Sequence, residues 1–117
     1  MVGGVTRIAA ESGSFAPTNL VDPELLLSGD PNDRGVSLFA SADGKVECGL
    51  WACDVYEERL PSYPMDELFV VIEGTLVVTV DGHEPETFSP GDAFVIERGT
   101  PCTLDFKAPV PQVLDDL

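Results

Sequence analysis

The chain has 117 residues, 44% of them hydrophobic, which suits one domain with its own core and excludes wholesale disorder. Its formal charge of -15, from 21 acidic and 6 basic residues, excludes the dense basic patch that nucleic acid or an anionic membrane surface requires; Arg7, Arg34, Lys45, Arg59, Arg98 and Lys107 are scattered singly. No apolar run has the length of a membrane span or the layout of a signal peptide, and the three cysteines, Cys48, Cys53 and Cys102, make no disulfide framework, so a cytoplasmic protein with reduced thiols is expected.

Residues 1–28 are weakly patterned and read as an N-terminal arm. It contains one short helical turn, with Asp22 as its N-cap and Pro23 at its first position. Residues 28–33 are dense in turn formers and read as a loop. From residue 36 onward strand follows strand: 36–40, 45–54, 67–73, 75–80, 86–88, 93–96 and 102–106. Asp81-Gly82 reads as a tight hairpin turn, and residues 57–64 read as a polar, proline-bounded connection. The proline-broken segment 108–117 reads as a last edge strand. Many short strands with regular turn signals predict an all-β sandwich or barrel, placed here at residues 29–117.

Two stretches carry a finer signal. Residues 91–102 read G-D-A-F-V-I-E-R-G-T-P-C, and residues 61–74 read P-S-Y-P-M-D-E-L-F-V-V-I-E-G. They resemble the paired motifs of the cupin superfamily, whose fold is a jelly-roll β-barrel. Gly91, Gly99, Glu67 and Gly74 keep their family positions. Pro61, Tyr63 and Cys102 stand where the metal-binding histidines of the family stand, and Glu97 replaces a proline. Gly49-Leu50-Trp51-Ala52-Cys53, Tyr63-Pro64-Met65-Asp66-Glu67-Leu68 and Phe88-Ser89-Pro90-Gly91-Asp92 are similar to the small cupins grouped with the (S)-ureidoglycine aminohydrolase cupin domain. That resemblance implies relatives that use a bound metal on small nitrogenous metabolites.

The resemblance places Glu67 inside the barrel, where Glu67 and Tyr63 would act as an acid–base pair or as ligand-orienting groups; for Tyr63 the competing reading is a rim aromatic with its ring packed and its hydroxyl wet. Trp51, Phe69 and Cys102 complete the expected ligand-binding set. No metal is expected. If a divalent ion binds, Glu67 and Cys102 would hold it, with Cys48 or Cys53 as a third ligand for zinc. The sole histidine, His83, follows the hairpin turn and reads as an exposed loop residue. For Cys102 the competing reading is a small buried hydrophobe; for Trp51 it is packing; for Asp66 and Glu67 it is simply the start of a strand.

Three functions stay open. The leading one is binding of a small metabolite in the barrel without the usual metal. The second is a cupin enzyme, metal-dependent or metal-free, acting on a small nitrogenous or sugar-like metabolite. The third is a non-catalytic homodimer, since exposed sheet edges need covering.

Overall fold

The computed structural model describes residues 4–9, 14–107 and 112–116, the last of these as backbone. The rest of the expected arm, and residues 108–111, lie outside the described residues. The strands are β1 (Ala16–Pro17), β2 (Leu26–Gly29), β3 (Arg34–Ala40), β4 (Glu47–Ala52), β5 (Tyr56–Leu60), β6 (Glu67–Glu73), β7 (Leu76–Val80), β8 (Glu86–Phe88), β9 (Ala93–Ile96), β10 (Cys102–Phe106) and β11 (Gln112–Asp116). They form two antiparallel sheets, β1-β3-β4-β11-β6-β9 and β2-β5-β10-β7-β8. The chain passes repeatedly from one sheet to the other, and the result is an all-β jelly roll. A single 3-10 turn at Pro23–Leu25 precedes β2, capped by the Asp22 carboxylate, which accepts from the Glu24 amide at 2.9 Å. No described helix is long and apolar enough to cross a membrane.

Alternation decides what faces the interior. In a strand, successive side chains point to opposite faces. Thus β5 buries Tyr56, Glu58 and Leu60, β6 buries Glu67, Phe69 and Val71, and β10 buries Cys102, Leu104 and Phe106. These faces meet Leu76 and Val78 of β7 and Trp51 of β4 in one core. Each fully buried aliphatic or phenyl side chain contributes about 1.5–3 kcal/mol by leaving water. The aromatic centre is built on Phe106. Its ring stacks on Tyr56 at 4.9 Å and meets Trp51 edge-on at 5.5 Å.

Three expectations are corrected. Residues 56–60 are a strand in the middle of the second sheet, between β2 and β10, rather than part of a polar connection. Ser28 and Gly29 belong to β2 rather than to a loop. Residues 112–116 are no edge strand: they lie between β4 and β6, with Val113 opposite both Trp51 and Val71. The backbone also comes together closely where β3 bulges between Ser37 and Phe39. A Cβ on Gly49 would sit 2.3 Å from the Val36 carbonyl oxygen, so only glycine fits there.

Candidate functional site

Polar side chains converge at one place inside the barrel, a cavity of about 280 Å³ between β4, β5, β6 and β10. Glu58, Glu67, Tyr56 and Tyr63 supply its polar wall. Trp51, Phe69, Leu104 and Phe106 supply most of its apolar wall, and Glu47 adds a third, exposed carboxylate to the lining.

Tyr63 and Glu67 owe their positions to two loops sewn together. The Tyr63 amide donates to the Thr100 carbonyl at 3.0 Å, and the Gly99 amide donates to the Tyr63 carbonyl at 2.8 Å. The Asp66 carboxylate accepts from the Arg98 amide at 2.8 Å. Gly99 has φ +89°, a left-handed conformation that glycine adopts without cost, which lets the 97–101 turn approach in this way. Chain entry into β6 is thereby fixed. Glu67, the first residue of that strand and 7% exposed, points inward, and its carboxylate accepts a hydrogen bond from the Tyr63 hydroxyl.

A second tyrosine–glutamate pair comes from β5. Tyr56 and Glu58 are two residues apart and share the inner face. The Tyr56 hydroxyl donates to Glu58 Oε1 at 2.8 Å, and Glu58 is 6% exposed. Burial pushes the Glu58 carboxyl above the usual glutamate range, the Tyr56 hydrogen bond pulls it back, and the charges of Asp33 and Asp22 push it up further. The Tyr56 hydroxyl is itself raised, by burial first and then by the Glu58 charge, so it stays a donor at all ordinary pH. Among the described residues no lysine, arginine or histidine lines the cavity. Among the described residues, the buried indole N–H of Trp51 has no acceptor. A buried donor without a partner costs about 1–3 kcal/mol.

The structure brings Tyr63, Glu67, Trp51 and Phe69 into this one cavity. Cys102 is not among its lining residues. It is fully buried on β10 between Leu60 of β5 and Val80 of β7, and burial raises its thiol. Cys53 is likewise fully buried, with its thiol pushed far up by desolvation. No three His, Cys, Asp or Glu side chains among the described residues converge on a point, so the zinc set of Glu67, Cys102 and a further cysteine is not assembled. The metal that cupin barrels commonly hold with imidazoles and a carboxylate does not fit this donor set: Glu67 alone remains, and Pro61, Tyr63 and Cys102 offer no imidazole. His83 is exposed beside β7, its Nδ1 3.0 Å from the Asp81 carbonyl. It borders a separate cavity of about 370 Å³ between β7–β8 and β9, where Phe88 and Phe94 stack at 4.1 Å.

Sequence reasoning missed Tyr56, Glu58 and Phe106. The available signal was the spacing of Tyr56, Glu58 and Leu60, a period of two hidden by the charges of Glu57, Glu58 and Arg59.

A two-sheet antiparallel jelly roll with a cavity between its sheets is the architecture of the cupin class. The profile of the EutQ-like cupin domain matches residues 40–113, and the chain belongs to that family. No curated protein matches the sequence significantly. Among solved structures, a protein of unknown function from Pseudomonas syringae pv. tomato superposes with a TM-score of 0.82 at 24% identity, over 90% of this chain and 44% of its own. This chain therefore spans less than half the length of that relative. A protein of unknown function from Acidithiobacillus ferrooxidans matches over 94% of this chain and 92% of its own, at 18% identity and a TM-score of 0.61. The Clostridium difficile EutQ protein matches over 72% of this chain and 65% of its own, at 20% identity and a TM-score of 0.53. At these identities the likeness establishes the fold alone.

Proposed function

We propose that the chain is a small-molecule-binding cupin that takes a compact metabolite into its barrel cavity without a metal. The observation that carries this reading is the cavity itself. Two buried glutamates, Glu58 and Glu67, and two tyrosines line one space of about 280 Å³ together with Trp51, near the lower end of the range for ligand sites. A packed core would bring no such set of polar groups together, because each costs free energy to bury. The resemblance to the ureidoglycine aminohydrolase group supports including nitrogen-rich and sugar-like metabolites in the search.

The test is thermal unfolding of the full chain against a metabolite panel with a chelator present throughout. A ligand at 100 times its Kd stabilises by about 2.7 kcal/mol, which for a domain near this size raises Tm by on the order of 10 °C. Stabilisation that appears only when metal replaces the chelator would refute the metal-free reading. A panel with no stabilising member would count against binding.

The hydrogen bond from the Tyr63 hydroxyl to the Glu67 carboxylate favours a second reading, in which the pair moves a proton on the bound molecule. Turnover of a candidate substrate that survives Glu67→Gln unchanged would eliminate it. Homodimerisation is compatible with either reading. Val95 on the edge strand β9 is 58% exposed, and a second copy would cover it. A monomer at micromolar concentration by light scattering would exclude this.

A further inference from the structure

The cavity wall has a chemical bias that bears on the class of ligand. Glu58 and Glu67 each border it, each less than a tenth exposed, and each shares one carboxylate oxygen with a tyrosine hydroxyl. No other hydrogen bond to either carboxylate is found among the described residues, and no cationic side chain lines the space. The facing walls are aromatic: Trp51, Phe69 and Phe106. Trp51, 8% exposed, also carries a buried N–H without an acceptor among the described residues, which the N–H groups of a cation would not satisfy.

We infer that the cavity selects a small organic cation of the amidinium, guanidinium or ammonium type, its N–H groups on Glu58 and Glu67 and its body against the aromatic wall. This rests on the binding function proposed above. Four features point the same way. Buried carboxylates with a free oxygen want a cationic donor, and planar N–H pairs match a carboxylate well. Aromatic faces attract organic cations. Anions have no basic partner here. Metal ions need more converging ligands than the described residues supply.

Three molecules of one shape separate charge from size: benzamidine, benzamide and benzoate. Trp51 is the only tryptophan, so its indole N–H gives one assigned signal in a proton–nitrogen correlation spectrum, and that signal reports from the cavity wall. Titration of the full chain is expected to give benzamidine an affinity at least about tenfold above benzamide, with benzoate weaker still. Glu58→Gln and Glu67→Gln should each narrow that gap; both substitutions keep an acceptor for the tyrosine. Because the three ligands are compared on the unaltered protein, the result does not depend on the variants folding.

Benzamide or benzoate binding as tightly as benzamidine would overturn the cation preference and leave the binding function standing. A benzamidine preference that neither glutamine variant narrows would also overturn it, because the cation would then sit elsewhere. Failure of all three to move the indole signal at roughly 10 mM would overturn the cation preference, while the binding function stands or falls on the metabolite panel.

Discussion

Glu58→Gln is the substitution for which the structure makes the sharpest demand. The glutamine amide oxygen can still accept from Tyr56, so the geometry of the 2.8 Å bond is preserved and only the ionisation is lost. Below the ordinary glutamate value of 4.5, the carboxyl is neutral in folded and unfolded chains alike, and Glu58 adds nothing to the pH slope of stability. Above that value the unfolded chain releases its proton while the buried carboxyl still holds one. Folding then takes up a proton, and stability falls by at most about 1.4 kcal/mol for each pH unit until the pH passes the raised folded value. The amide has no such slope. Where Glu58 is ionised, replacing the charged acceptor by a neutral one costs about 1 kcal/mol. The variant should therefore begin level with or slightly below the parent near pH 4.5 and overtake it as the pH rises. Urea unfolding followed by Trp51 fluorescence at several pH values measures both proteins. The pH dependence from the general acidity of the chain is common to the two and cancels in the difference. Parallel stability curves from pH 4.5 to 8 would refute the claim that burial raises this carboxyl above its ordinary range.

Other outcomes follow from the packing. Phe106→Ala removes the ring on which Tyr56 and Trp51 rest and should cost about 3–5 kcal/mol in urea unfolding; a loss under 1 kcal/mol would mean the aromatic centre is loosely packed. Gly49→Ala drives a methyl group into the Val36 carbonyl and should cost about 1–3 kcal/mol; an unchanged midpoint would contradict the close approach of β3 and β4. Cys53 and Cys102, with no exposed surface and raised thiols, should resist a thiol reagent at pH 8 in the native protein and react once it is unfolded. Mass-resolved labelling checks this, and native modification of Cys102 would place it in an accessible site after all.

Strands β6, β7, β9 and β10 were legible because their apolar residues alternate or run together between turn formers. The inward Glu67 was legible because the motif that surrounds it fixes its position, whereas Tyr63 read equally as a rim aromatic and is buried against Glu67. Strand β5 was not: three charged residues in succession look like solvent-facing surface, and nothing local reveals that Glu58 turns inward to meet Tyr56. Strand β11 was misplaced for a related reason. The prolines before it and its acidic residues read as an edge, whereas its central place is set by long-range pairing with β4 and β6 that no window of sequence contains. Cys102 follows the motif into the interior, yet its neighbours Leu60 and Val80 make its surroundings apolar. Motif position settles which way a residue faces and leaves open what it finds there.

The central position of β11 bears on how the barrel comes into being. Strand β4 pairs with β11 on one side, and β6 pairs with it on the other, so neither can complete its ladder on that flank before residues 112–116 have been synthesised. A nascent chain that stops short of them presents two open strand edges, the geometry that invites pairing with other chains. Synthesis that stalls at this stage is thus the dangerous moment for this protein, and a peptide copied from residues 112–116 is the natural competitor for the slot between those two strands.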